Sequence, residues 1–276
     1  MAMTINTNTA SNNALTQLGR TTKSLGSTFE RVSSGLRINK AGDDAAGLAM
    51  AEKLDATGRG LRQAMRNAND GISVIEVAEG AANEVGNIVK RMRELAVQSS
   101  SETLGTTERT YIQAEIIAAS AEVDRIANVT SFNGVALGNG TNATIAVQVG
   151  VNNTVDDRID IALGDLSAAT IGVDIVTINL TTAAGAQLAL TALDLALDTV
   201  NGYRADLGAT QNRVESAIRN LETNTDKNAG AQSRIRDADF AFETAQMAKY
   251  QIIQQSGVAV LGQANQMNQS AMRLIQ

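Results

Sequence analysis

The sequence predicts a mainly α protein: a long antiparallel helical bundle or coiled coil with a small β-hairpin region and with its N- and C-terminal helices paired. Three observations carry that prediction. Apolar residues recur at three-four steps near both ends of the 276-residue chain, no proline interrupts any part of it, and beyond residue 128 the period changes to two.

The N-terminal stripe runs Leu18, Thr22, Leu25, Phe29, Val32 and Leu36; the C-terminal one runs Tyr250, Ile253, Gly257, Val260, Ala264, Met267, Ala271 and Leu274. A 3.5-residue period turns one narrow face toward a partner helix. The first stripe offers Leu and Phe and the second alternates bulk with Gly and Ala, so residues 1–36 and 237–276 are expected to pack as two helices. From Ala45 to Ser99 the stripe Leu61, Met65, Ala68, Ile72, Ile75, Ala78, Ala82, Val85, Val89, Met92 predicts a very long helix, with an early break expected near Gly58 and Gly60. A polar stretch to Thr107 ends it, and Thr106 or Thr107 is the expected N-cap of the next helix, whose stripe is Ile112, Ile116, Ala119, Val123 and Ile126.

Asn133-Gly134 then marks a turn. Ile145, Val147, Val149 and Ile159, Ile161, Leu163 alternate on either side of Val151-Asn-Asn-Thr, which predicts a β-hairpin over 143–164. The charge-poor segment 165–184 reads as loop with one short strand. Helical spacing returns in Leu193, Leu197, Val200, Arg204, Leu207, Gln211, Val214, Ile218 and Leu221, where Arg204 and Gln211 form polar layers that set register. After Asn224 the pattern fades into Asn, Thr, Asp, Lys and Gly, as it does between Arg37 and Gly47. The expected organisation is therefore a terminal helix (1–36), a linker (37–47), central helices (48–130), a hairpin and loop region (131–184), a returning helix (185–226), a second linker (227–236) and a terminal helix (237–276).

Composition narrows the function. The chain is 43% hydrophobic but only 3% aromatic, which suits long helices with thin seams better than a wide core. It has neither histidine nor cysteine, which removes disulfides, thiolate metal sites, the usual general base and the commonest zinc ligand. Enzyme readings are weakened accordingly, and no cofactor, catalytic residue or metal is expected. The net charge of −6 is interspersed, so no nucleic-acid or membrane-surface footprint appears. No stretch reads as the ~18 apolar residues of a membrane span. The first residues lack a basic region followed by an apolar one, so if the chain leaves the cell it is expected to do so without a cleaved secretory signal. Asp43 and Asp44, beside Gly42, are paired carboxylates with acid–base or metal-binding potential. Without companion ligands they read as linker residues that pair with basic groups or cap the long helix.

Each terminal stripe has only six to eight residues to bury, a small gain against the entropy of ordering a whole helix. The termini are therefore expected to be unordered in a monomer and to become helical on packing against further copies. The expected polymer interface comprises Leu18, Leu25, Phe29, Val32, Leu36, Ile253, Val260, Met267 and Leu274.

The stretch from Phe29 to Gly47, FERVSSGLRINKAGDDAAG, closely resembles the N-terminal signature of bacterial flagellins. Asn67 to Ile72, Arg93 to Gln98, Asp206 to Arg213, Ser233 to Phe240 and Leu261 to Gln266 resemble the family in the same order. The resemblance covers about residues 1–165 and 185–276. It implies a structural subunit, exported unfolded through the flagellar type III apparatus, that polymerises with itself or with other flagellins into the extracellular filament for swimming motility. The flagellar cap, junction proteins and an export chaperone would be further partners. It also implies that the paired termini form the inner tube and the central helices the layer around it. Only about 20 residues stand where larger flagellins insert outer domains, so a slim filament is expected. Met267-Asn268 replaces a frequent Val-Pro, so the last helix is expected to continue unbroken. Arg91, Leu95 and Glu115 correspond to the surface that the vertebrate Toll-like receptor for flagellin recognises in receptor-stimulating relatives. The competing readings are a hook–filament junction protein and a secreted, non-polymerising helical adhesin or immune ligand.

Overall fold

A computed structural model describes the backbone of residues 7–273 and the side chains of residues 7–266. The described residues form six helices and four short strands: α1 (Thr9–Ser34), α2 (Ala45–Ser100), α3 (Thr106–Val129), β1 (Ser131–Phe132), β2 (Val135–Ala136), β3 (Thr144–Gln148), β4 (Arg158–Ala162), α4 (Ala168–Ile171), α5 (Ala183–Arg236) and α6 (Phe240–Arg273). They divide into two compact units, residues 1–58 with 227–276 and residues 59–226. The predicted fold class, mainly helical with a small hairpin region and paired terminal helices, is the one observed.

The unit of residues 59–226 has an apolar interior. Val85, Val89 and Met92 from α2, Ile116 and Val123 from α3, and Leu193 and Val200 from α5 are fully buried together. Further along, Ile75 of α2 and Leu207 and Val214 of α5 cover Val147 of β3 and Ile159 and Ile161 of β4. The hairpin is antiparallel with Val147 opposite Ile159, so its period-two alternation places one face on the helices. Leu193, Val200, Leu207, Val214 and Leu221 recur every seven residues and all are buried, which is what a helix seam of this length requires.

Four expectations change. The break at Gly58 and Gly60 does not occur; α2 is continuous, and a Cβ at Gly60 or Gly71 would press on Val151 or Val147, so these glycines admit the hairpin. Gly105, not a threonine, is the N-cap of α3, and Arg109 donates back to the carbonyls of Ser99 and Ser101 to satisfy the end of α2. Residues 165–184 hold no strand among the described residues, although Asn139 and Asp165 form a single bridge. The segment is pinned instead by side chains: Asp124 accepts from the Ala168 N–H, Gln113 bonds both Ile178 and Leu180, and buried Ser99 donates to the Leu180 carbonyl. The linker expected at 227–236 is the end of α5. With no proline to stop it, the helix continues on a polar surface, and Asn228 donates to the Leu54 carbonyl while Arg236 pairs with Glu52 at 3.1 Å. The other expected linker is real as far as residue 44, after which α2 begins. The expected last helix of 237–276 is continuous through Met267 and Asn268 to Arg273.

One helix among the described residues, α5, is long and apolar enough by length and composition to cross a membrane, contrary to the expectation of no such stretch. One face of its apolar start, Ala186, Ala189, Leu193 and Ala196, is buried in the interior, whereas Leu188 and Leu195 are exposed.

Candidate assembly interface

In the unit of residues 1–58 and 227–276, α1 and α6 pack along each other. The line of contact is rotated from the apolar stripe. On α1 the inward positions are half-buried Ala14, Leu18, Leu25 and Val32 with buried Thr21 and Thr28; on α6 they are buried Glu243 and Ala264 with half-buried Met247, Tyr250, Gln254, Gly257 and Leu261. Thr21 replaces the expected Thr22, and Thr28 the expected Phe29. A threonine is small enough for close helix approach, and Thr21 returns its hydroxyl to the Gln17 carbonyl, so burial leaves no unpaired donor there. Gly257 serves the same approach, since a Cβ there would lie 3.3 Å from Leu18.

Polar bonds lace this seam. Asn8 caps α1 through Ser11 and also donates to the Ala264 carbonyl at 3.1 Å, Ser11 donates to Asn265 at 3.0 Å, and Gln254 reaches Thr22 at 3.5 Å. At the other end Arg31, in the last turn of α1, meets Glu243, in the first turn of α6, at 3.4 Å. Each charge stands at the helix end whose dipole favours it. A line of small residues seven apart, Ala14, Thr21 and Thr28, is the sequence signal that locates this face, and a reading that follows only large apolar residues passes over it.

A second set of large apolar side chains points away from the seam. Phe29 is 63% exposed, Ile252 63%, Val260 58% and Ile253 38%; Leu15, Phe240, Phe242 and Val258 are exposed as well. Of the expected interface residues, Phe29, Ile253 and Val260 face outward, whereas Leu18, Leu25 and Val32 line the seam. Leu36 is half-buried in the bridge it forms with Asp237. The Met267 side chain and Leu274 lie outside the described residues.

Between the helices a short clasp joins the two halves of the chain. Gly35, at φ 72°, ends α1 in the left-handed conformation and returns its N–H to Arg31. The Arg37 N–H then donates to the Arg236 carbonyl at 2.7 Å, and the Ala238 N–H to the Gly35 carbonyl at 2.9 Å. Asp44 accepts from the Gly47 N–H at 2.9 Å, so it caps α2. Asp43 accepts from the Asn39 and Lys40 N–H groups, and these bonds hold its carboxyl below the usual carboxylate range. Both carboxylates are thus occupied in shaping the turn into α2.

The other expected surface is only partly a surface. Arg91 donates to Glu115 at 2.9 Å and to Glu94 at 3.2 Å, all three exposed. Leu95 is 2% exposed and belongs to the interior of α2, α3 and α5, which corrects its assignment to a presented face. One helical turn separates Arg91 from Leu95, but the four-residue step of about 400° carries the second inward here.

A thinly packed helix pair, laced by polar bonds and with a row of large apolar residues left exposed, is the architecture of a subunit built to assemble with copies of itself. The description "Bacterial flagellin N-terminal helical region" matches residues 5–143, and "Bacterial flagellin C-terminal helical region" matches residues 190–275. The chain is 42% identical to flagellin of Halalkalibacterium halodurans over 99% of its own length and all of that protein. It is 40% identical to the flagellar filament 33 kDa core protein of Treponema phagedenis, again over 99% of this chain and all of the relative. The crystal structure of Bacillus cereus flagellin superposes with a TM-score of 0.50 at 28% identity, covering 56% of this chain and 88% of that one. The chain belongs to the bacterial flagellin family, and its role is that of a structural subunit of the flagellar filament.

Proposed function

We propose that the outward apolar faces of α1 and α6 are the surfaces by which copies of this flagellin pack together at the centre of the filament, and that the terminal pair becomes ordered as it packs. The observation that supports this is the inversion of the seam: threonines and a carboxylate lie inside it, while Phe29, Ile252 and Val260 lie outside. Contacts between different patches of identical subunits propagate helically where the rotation does not close, which is what a filament needs. A seam that is weak by itself also suits a chain that leaves the cell unfolded through the flagellar type III apparatus. The export chaperone, cap and junction proteins are then its partners before and at the growing end. For a host receptor, the groups that α2 and α3 offer on this face are the exposed Arg91–Glu115 pair.

Electron microscopy of purified protein seeded with sheared filament fragments tests the reading. Long tubes with a central channel are expected, and persistently monomeric particles with intact termini overturn it. Circular dichroism tests the ordering step: helix content rises on assembly, and equal content in monomer and filament refutes that step.

A further inference from the structure

The chain contains three Asn-Gly pairs, at 133–134, 139–140 and 201–202, and the structure places them in three different environments. Asn201 and Gly202 lie inside α5, where regular backbone geometry keeps the side-chain carboxamide away from the following amide nitrogen. Asn139 is fastened: its side-chain oxygen accepts from the Thr141 N–H at 3.1 Å, and its backbone bridges to Asp165. Asn133 and Gly134 are the two central residues of the turn between β1 and β2, at φ 48° and 81°, and both are exposed. Positive φ at both positions is the two-residue hairpin turn of the primed type. The Asn133 carboxamide has no hydrogen-bond partner among the described residues, and the hairpin holding the turn has two residues per strand, too few to be stable alone.

From this we infer that Asn133 is a site of spontaneous, turn-selective deamidation, giving the subunit an intrinsic covalent ageing mark. The turn opens locally, since so short a pair opens at little cost. The Gly134 amide nitrogen then attacks Cγ of Asn133, its proton passes to solvent base, and the carboxamide nitrogen leaves as ammonia. The cyclic imide that results is opened by water at either carbonyl. One opening yields an aspartate at position 133; the other routes the main chain through Cβ and yields an isoaspartate. No electrons are exchanged and no reactant besides water is required. Gly134 favours the attack because it carries no side chain to shield its nitrogen.

The consequence reaches the interior by one step. An isoaspartate adds a methylene to the backbone of a two-residue turn, which unpairs Phe132 from Val135 and slackens the segment that follows. That segment carries Leu137, which is 1% exposed and packs on the hairpin cluster, with its N–H donating to the Thr130 carbonyl at 3.0 Å. The other product adds one negative charge at an exposed turn.

The test incubates the purified full chain at mildly alkaline pH and follows the three peptides by mass spectrometry, with chromatographic separation of aspartate from isoaspartate. Residue 133 is expected to convert at least about tenfold faster than residues 139 and 201, a ratio that needs only about 1.4 kcal/mol of difference in opening cost. In the aged protein, amide exchange at Leu137 is expected to quicken. Asn133→Gln should abolish both changes, whereas freshly prepared, unaged Asn133→Asp should add the charge and leave exchange at Leu137 slow. Equal conversion at all three pairs, or no conversion at residue 133, overturns the inference.

Discussion

Two helix seams in this molecule share a period and differ in chemistry. On α5, Leu193, Val200, Leu207, Val214 and Leu221 recur every seven residues and bury five aliphatic side chains. On α1, Ala14, Thr21 and Thr28 recur at the same interval; the two threonines are its only buried residues among those described, and Leu18, Leu25 and Val32 beside them are only half-buried. The first arrangement removes enough apolar surface from water to hold α2, α3 and α5 together in one copy. The second fixes which faces of α1 and α6 meet and removes less apolar surface, leaving Leu15, Phe29, Ile252 and Val260 for a neighbour. Period sets who faces whom, and side-chain chemistry sets whether the pair stands alone.

The comparison breaks most visibly at the outward face. Ile252→Ser combined with Val260→Ser is expected to abolish tube formation while leaving monomer melting unchanged; filaments of normal yield by sedimentation and microscopy would refute the assignment of that face. Met92→Ala, in the apolar unit, should lower monomer stability by about 2–5 kcal/mol in urea unfolding, the range for a fully buried large-to-small change. Glu243→Ala should leave that unfolding curve in place but raise the protein concentration needed for assembly, because the Arg31 partnership matters only once α1 and α6 are paired. An equal loss of monomer stability would show that the terminal pair is already folded before assembly.

A sharper version reverses the chemistry of the weak seam. Thr21→Val with Thr28→Val keeps the shape and removes two hydroxyls, and monomer helix content by circular dichroism is expected to rise. The smallest effect concerns the clasp. Asp43 has a depressed carboxyl pKa in the folded turn, so its contribution is present above the ordinary aspartate pKa and is lost as pH falls through the lower, folded value. A carboxyl titration by NMR should show that low midpoint in the assembled protein, and Asp43→Asn should remove the pH dependence of the turn.

How much of this was legible beforehand depends on which interaction placed each residue. The stripes on α2, α3 and α5 were readable because burial there is apolar and periodic. The hairpin was readable because alternation and Asn-Gly have direct backbone causes. Residues 227–236 read as a linker since their helix faces carry few apolar groups; what extends α5 there is the absence of a stop and two long-range bonds, from Asn228 and Arg236. Phe29 is assigned by type and spacing and Leu95 by the resemblance, and only three-dimensional neighbours decide that the first is outside and the second inside.

By itself the amino-acid order determined the helical class, the hairpin, the absence of His and Cys chemistry, and the family motifs, since each rests on local propensity, periodicity or composition. Tertiary structure alone decided the rotation of the α1–α6 seam, which of the two carboxylates caps α2 and which closes the turn before it, and the pinning of 165–184 by Ser99, Gln113 and Asp124. The physical reason is that a helix stripe specifies an angle only to within about one residue's turn, roughly 100°, and close packing of small side chains at the contact settles the remainder.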